Sequence, residues 1–125
     1  MKKTIIDLFE SSVAKYGEKT VLLEKTTSEF EPTTYNQTRD AALAIGAGLT
    51  AMGIERGDRV SILSEGCNAW IMSELGLLYA GAISVPLSIK LEEANDLVFR
   101  VKHSDSKYVI TSKFQLHKIR KILPE

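Results

Sequence analysis

Cysteine is nearly absent: Cys67 stands alone in 125 residues. That excludes an internal disulfide framework and fits a reducing compartment. An excess of charge of one sign is missing too. Sixteen basic residues balance sixteen acidic ones, for a formal net charge of zero. General nucleic-acid and membrane-surface binders carry a basic excess, so neither role is expected. The same balance predicts modest solubility near neutral pH. No stretch reaches the ~18 consecutive apolar residues of a membrane span. Lys2 and Lys3 open the chain as in a signal peptide, but Asp7 and Glu10 break the apolar run behind them. A soluble cytoplasmic protein is the expectation. Histidine is scarce: His103 and His117, with Cys67, lack ligand spacing, so no metal site is expected. No Gly-rich loop is followed by Lys-Ser or Lys-Thr. Internal repeats, linkers and low-complexity tracts are lacking as well.

What remains is ordinary globular material, 44% hydrophobic and 26% charged. The length suits one domain with one core, residues 1–125. Thr4 to Tyr16 reads as an amphipathic helix with Thr4 as N-cap, Ile5, Leu8, Phe9 and Val13 on its apolar side, and Gly17 as its stop. Thr20–Lys25 and Glu29–Thr33 read as a hairpin, with Pro32 confining the second strand to an edge. Thr34 with Gln37 forms a capping box for a helix running to Met52. Ala42, Ile45, Leu49 and Met52 share a face of it. Its interior Gly46 and Gly48 suggest close packing on a neighbour, since each costs roughly 1 kcal/mol relative to Ala.

The stretch from Gly53 to Leu87 organises the rest. It predicts a turn at Arg56-Gly57-Asp58, a strand at 59–64, a polar loop, a helix at 69–79 capped by Asn68, a stop at Gly81, and a strand at 82–87. Trp70, Ile71, Met72, Leu75, Leu77 and Leu78 leave that helix little polar surface, so burial on more than one side is expected. A helix then starts at Leu91 or Glu92 and runs to His103. Lys107–Thr111 is a strand, and Ser112 caps a last helix to about Leu123, stopped by Pro124. Leu116, Ile119 and Leu123 would form its apolar face. The order β-α-β-α-β-α after residue 59 implies a parallel sheet with right-handed crossovers and helices on its faces.

Few residues invite a chemical role. The loop Ser64–Asn68 lies between a strand end and a helix start, where free N–H groups can hold an anion. Glu65 opposes that and the loop supplies no Lys, so a structural loop is the preferred reading. Cys67 as a nucleophile needs a thiolate-stabilising partner that nothing in the sequence supplies. Trp70 could line an apolar pocket, but its spacing with Leu77 favours the core. Lys113, Lys118, Arg120 and Lys121 read as a solvated basic face. Gly53, Gly57 and Gly81 read as backbone punctuation.

Several of these segments resemble the AMP-forming adenylate synthetases, the superfamily of acyl-CoA synthetases, nonribosomal-peptide adenylation domains and luciferases. Thr34-Tyr35-Asn36-Gln37-Thr38 is similar to the family's "TYxEL" helix start. Leu78 to Leu87 is similar to its "LKAGAxxVPL" helix end and strand. GIERGDRVSIL (residues 53–63), Asn68-Ala69-Trp70 and Asp105 to Ile110 carry further likeness. Ser64-Glu65 with Trp70 looks most like the long-chain fatty acyl-CoA synthetase branch. Gln37 and Thr38 depart from the first motif, and Gly66 stands where that branch commonly has Asn.

The resemblance implies a parent enzyme that joins a carboxylate to the α-phosphate of ATP and passes the acyl group to coenzyme A. ATP, Mg²⁺ and coenzyme A are thereby implied for the parent, and none for this chain. It implies a partial domain of the large adenylating fold, a scaffold whose partner is the remainder of the parent. No catalytic, cofactor-binding or metal-binding residue is expected here. Thr34, Tyr35, Gly53, Gly57, Asp58, Trp70, Gly81 and Pro86 are signature positions with structural roles. The ending Leu123-Pro124-Glu125 is compatible with a boundary in a loop of a longer protein, and self-association through exposed apolar faces or an unpaired sheet edge is expected. The element order alone also allows a free-standing, non-catalytic α/β module that binds a small ligand or partner.

Overall fold

The computed structural model describes residues 3–123. Ten elements follow in order: α1 (Ile5–Tyr16), β1 (Thr20–Lys25), β2 (Phe30–Thr34), α2 (Tyr35–Ala51), β3 (Arg59–Leu63), α3 (Asn68–Tyr79), β4 (Ile83–Leu87), α4 (Ala94–His103), β5 (Ser106–Thr111) and α5 (Leu116–Ile122). β1 and β2 pair antiparallel as a separate hairpin. β3, β4 and β5 form a parallel sheet in the order β4-β3-β5. The expected architecture is therefore observed, to within a residue or two at most element ends. Pro124 lies outside the described residues.

The sheet separates two apolar layers. Alternate residues of a strand face opposite sides. Val60 and Ile62 of β3 join Leu49, Ile54, Leu77 and Ala82 in one cluster, with Tyr108 and Ile110 of β5 against it. Leu63 joins Leu97 and Ile119 in the other, with Leu87 and Val109 packed on it. So α2 and α3 cover one face, and α4 and α5 cover the other. β3 is central and its Val60, Ser61, Ile62 and Leu63 are fully buried. The buried Ser61 hydroxyl is satisfied by Ser106 Oγ at 2.6 Å, which in turn meets Ser104 Oγ at 2.7 Å.

The contact between α2 and α3 sets the first layer. A Cβ on Gly46 would lie 2.9 Å from the Gly76 carbonyl oxygen. A Cβ on Gly76 would lie 2.8 Å from Ile45 Cγ2 and 3.0 Å from the Ala42 carbonyl oxygen. The two helices approach backbone to backbone at these glycines. Gly48, expected to serve the same purpose, faces away: a Cβ there would meet nothing within 4 Å. The buried face of α2 is accordingly Thr38, Ala42, Gly46 and Leu49, whereas Met52 is 62% exposed. Met52 is the C-cap and has left the helical stripe.

Other expectations shift in detail. Ile5 and Leu8 of α1 are exposed, and Phe9 packs instead against Tyr35 and Tyr79 at 6.4 Å between ring centroids. Gly17 caps α1 in a right-handed conformation, under the Asn36 side chain. α4 begins at Ala94, later than the acidic run suggests, with Glu93 as its N-cap. α5 begins at Leu116 after a turn in which the Gln115 N–H meets Ser112 Oγ at 3.3 Å, so Ser112 holds the turn and does not cap the helix. Leu123 is 71% exposed and lies off the apolar face. Lys118 is not on a solvated face: it is buried, and its Nζ donates to the Ile89 carbonyl at 2.6 Å and pairs with Glu92 at 3.2 Å.

The glycine contact yields a paired prediction. Gly76→Ala forces the helices apart and should destabilise the chain by about 1–3 kcal/mol. Gly48→Ala meets open space in a helix and should stabilise by about 0.5–1 kcal/mol. Urea denaturation of the two variants measures both, and shifts of equal sign would contradict the packing described.

Candidate functional site

Open parallel sheets bind ligands at the carboxyl ends of their strands. Among those ends are Leu63 with the loop Ser64–Cys67, and Thr111 with Ser112. A cavity of about 100 Å³ lies between them, lined by Ile62, Ser64, Cys67, Trp70, Ser73, Ile110, Thr111 and Ser112 among others. Pockets for organic ligands run to about 300–1,000 Å³. This one has room for a few waters, at about 30 Å³ each.

The electrostatics of this edge are already internally matched. The Glu65 carboxylate accepts from Ser112 Oγ at 3.1 Å and Gln115 Nε2 at 3.4 Å. Its own backbone N–H, then the Ser112 hydroxyl and Gln115, hold its pKa below the ordinary carboxylate value. It is therefore a fixed anion beside the loop. The N-terminus of α3 is also occupied. Asn68 is its first residue and Cys67 is its cap, with no side-chain capping bond. The expected Asn68 cap is thus corrected. A thiol is a weak acceptor, and a carboxylate from another element takes its place: the Asn68 N–H donates to Glu24 Oε1 of β1 at 2.9 Å. Asn68 Nδ2 reaches back to Thr33 Oγ1 at 3.4 Å.

These residues do not fit a nucleotide phosphate. The helix N-terminus already holds a carboxylate, Glu65 adds a second negative charge, and residues 64–68 include no cation. Among the described residues no group of three or more His, Cys, Asp or Glu side chains is gathered as a metal site. His103 stacks on Phe99 at 5.1 Å, and His117 Nδ1 lies 3.1 Å from the Phe114 carbonyl oxygen.

The signature positions do not converge on one cavity. Thr34 caps α2 through a reciprocal box with Gln37, at 3.1 and 2.9 Å. Tyr35 starts that helix, with its ring 6.0 Å from Tyr16 and its N–H on the Lys19 carbonyl. Gly53, Gly57 and Gly81 have φ of +102°, +87° and +77°, a region that suits glycine. Gly57 and Gly81 meet: the Gly57 N–H donates to the Gly81 carbonyl at 2.9 Å. Asp58 follows, its carboxylate accepting from the Glu55 N–H at 2.7 Å and Lys107 Nζ at 3.2 Å. This group sits at the amino ends of the strands, opposite the small cavity. Trp70 is half-buried against the first core layer and also lines the cavity. Pro86 is an exposed residue of β4 paired with Ile62.

One polar cluster escapes sequence reasoning. Glu10 of α1 accepts from Arg39 Nε of α2 at 2.6 Å and from the Tyr79 hydroxyl of α3. It ties three helices together and touches no cavity residue named above. Arg39 first, then Tyr79, holds the Glu10 pKa down. Burial first, then Glu10, pushes the Tyr79 hydroxyl up to about 12. Such long-range partners have no sequence signature, and the same is true of Glu24 with Asn68.

Both sets of contacts can be tested by substitution. Glu24→Ala should cost about 1 kcal/mol by stripping the α3 terminus of its acceptor, and Glu24→Gln should recover much of that. Unchanged urea midpoints for both would contradict the capping role. The helix clamp also has two pH limits. Glu10 is lowered on folding, so its contribution is present above the ordinary carboxylate range and is lost as pH falls through its lowered value. Tyr79 is raised, so its contribution is present below the usual value of 10.0 and is lost as pH rises toward about 12. Melting temperature against pH should therefore fall on both sides, with Arg39→Met flattening the acid limb and Tyr79→Phe the alkaline one.

Comparison with known proteins gives the family. The family described as "AMP-binding enzyme" matches residues 9–125. The long-chain-fatty-acid–CoA ligase ACSBG2 of Rattus norvegicus is 26% identical over 98% of this chain and 18% of that protein. The 4-coumarate–CoA ligase 1 of Petroselinum crispum is 28% identical over 87% of this chain and 20% of that protein. The solved N-terminal domain of FACL13 from Mycobacterium tuberculosis superposes with a TM-score of 0.90 at 27% identity, covering 99% of this chain and 30% of that one. The chain spans about a fifth or less of these two ligases' lengths. A fold shared across 99% of the chain, with a family match over residues 9–125, leads to one conclusion: the chain belongs to the AMP-binding enzyme family of adenylate-forming acid ligases.

Proposed function

We propose that this chain is the opening scaffold segment of an ATP-dependent, AMP-forming acid–thiol ligase that activates a long-chain fatty acid and transfers it to coenzyme A. The observation that carries the reading is the superposition of 99% of the chain on the N-terminal domain of FACL13. The likeness to the rat long-chain-fatty-acid–CoA ligase over 98% of the chain supports the acyl class. So does the phrase Ser64-Glu65 with Trp70. ATP, Mg²⁺ and coenzyme A are then held by the remainder of the parent, a reading supported by the loop Ser64–Cys67 and the start of α3, which supply no cation for a phosphate and already hold the carboxylates of Glu65 and Glu24. The chain alone is inactive on this reading. A cytoplasmic location is part of the proposal, supported by the unpaired Cys67.

The scaffold reading also accounts for the exposed surface. Leu23, Phe30, Phe99 and Phe114 are each more than 60% exposed. Exposed apolar side chains in number mark interaction surfaces. The parent covers such faces, and the isolated chain self-associates.

The test is made on the complete gene product. The reading frame should continue past residue 125 into a Ser/Thr/Gly-rich loop with Lys. The product should release pyrophosphate from ATP and Mg²⁺ when given hexadecanoate and form its coenzyme A thioester. A preference for 4-coumarate would overturn the long-chain assignment, and a stop codon after residue 125 would overturn the scaffold reading. For the isolated chain, sizing with light scattering should show concentration-dependent association, and a monodisperse monomer at high concentration counts against it.

A further inference from the structure

The formal neutrality of the chain conceals a segregation of charge. Residues 98–123 hold seven Lys and Arg residues against one acid, Asp105, a net charge of +6. The chain as a whole is neutral, so the remainder carries −6. A zero total argues against a general membrane-surface binder, but it does not apply to a face that collects one sign. The fold puts these charges together. α4 and α5 cover the same face of the sheet, with Leu97 of one and Ile119 of the other in one cluster. Both return against the direction of the strands, so they lie side by side, and Lys102 of α4 and Ile122 of α5 line one hollow. With Leu97 and Ile119 turned to the sheet, the opposite stripes of both helices face solvent. Phe99, Arg100 and Lys102 are exposed on α4, Arg120 and Lys121 on α5, and Lys113 and Phe114 in the turn before it.

These cations are not neutralised from within. Of the seven, Lys107 and Lys118 pair with Asp58 and Glu92. The other five have no carboxylate partner among the described residues. The acids nearest in sequence, Glu92, Glu93 and Asp96, are confined to the head of α4. Phe99 and Phe114 stand among these charges at 62% and 66% exposure. Cores of protein–protein interfaces are depleted of Lys, so these two rings differ from Leu23 and Phe30 of the hairpin, which fit a face that the parent covers. Nor do they suit nucleic acid, whose bases stack on open aromatic faces. One face of each ring is already taken: Phe99 stacks on His103 at 5.1 Å between centroids, and Lys113 Nζ stands 5.2 Å from the Phe114 centroid. Phenyl groups projecting among cations match the boundary of an anionic bilayer, where rings enter the acyl region and ammonium and guanidinium groups meet phosphates.

We infer that the outer surface of α4 and α5 is a docking face for an anionic lipid bilayer, with Phe99 and Phe114 entering its acyl boundary and Arg100, Lys102, Arg120 and Lys121 facing the headgroups. The contact is peripheral: among the described residues no helix is long and apolar enough to cross a membrane. The inference goes beyond the scaffold reading and stands without it, since it concerns a surface on the side of the sheet away from α2 and α3.

Vesicle sedimentation of the complete gene product tests it. The probes are vesicles of phosphatidylcholine alone and of an equal mixture of phosphatidylcholine and phosphatidylglycerol. Binding should appear on the mixed vesicles alone and fall at least about tenfold at an ionic strength near 0.5 M. Arg120→Gln combined with Lys121→Gln should weaken it about twentyfold, at about fivefold for each charge. Phe99→Ser should weaken it about tenfold. Lys15→Gln combined with Lys19→Gln, exposed cations elsewhere on the chain, should leave it unchanged. Absence of binding to the mixed vesicles, equal binding to phosphatidylcholine alone, or equal weakening by the Lys15 and Lys19 pair overturns the inference. So does tight binding of a thymidine oligonucleotide together with vesicle binding that Phe99→Ser leaves intact, because the face is then a mere polyanion surface. A fall of several degrees in the melting temperature of Phe99→Ser also overturns it, because the remainder of the parent then covers the ring. A dimer that Phe99→Ser dissolves, without vesicle binding, makes a second copy the occupant and overturns it likewise. Pyrophosphate release is read separately, so a protein that binds the vesicles without activity fails the functional reading alone.

Discussion

The structure depends on one close approach, the crossing of α2 and α3 at Gly46 and Gly76. Neither position has space for a Cβ, and the opposing atoms are backbone carbonyls and the branched carbon of Ile45. This contact fixes how far α3 stands from α2. That spacing in turn places Leu49 and Leu77 together over Val60 and Ile62 of the central strand. Outward from it, the Glu10 carboxylate joins α1, α2 and α3 in a polar clamp. Glu24 fastens the hairpin to the start of α3. A core of small residues at the crossing and branched aliphatics under it needs no disulfide, which agrees with the single cysteine.

The same construction explains why the carboxyl edge of the sheet is quiet. A helix N-terminus and a strand-end loop are the ordinary makings of an anion site. In this chain both are satisfied from within, by Glu24 and by the Ser112 and Gln115 bonds to Glu65. The cavity between them is the size of a few waters. The family's nucleotide chemistry therefore falls to other parts of the parent on the reading proposed here, and these contacts hold a rigid layer on which those parts rest.

Much of the fold is legible in the sequence because its signals are local. Hydrophobic periodicity and the Thr34–Gln37 box place α2, and glycines at positive φ mark the turns around β3 and β4. Where sequence and structure part, the cause is long-range. Gly48 looks like Gly46 in sequence, and only the position of α3 separates the glycine at the contact from the one in solvent. Gly76 carries no local signal of its own, although it is half of the crossing. Asn68 is a good cap residue by type, yet the capping oxygen comes from Glu24, 44 residues earlier. Lys118 sits in a run of basic residues that suggests solvent, and it is buried because the Ile89 carbonyl and Glu92 lie within its reach. The small edge cavity has no sequence signature at all, since its lining comes from β3, α3, β5 and the loops after them.

On the scaffold reading proposed above, this chain carries the family's frame and none of its nucleotide binding. Isothermal calorimetry of ATP with Mg²⁺ into the 125-residue chain tests it most directly. The account predicts no saturable heat at micromolar to submillimolar nucleotide. A saturable isotherm with a micromolar Kd, weakened by substitutions at Glu65 or Ser112, would contradict it.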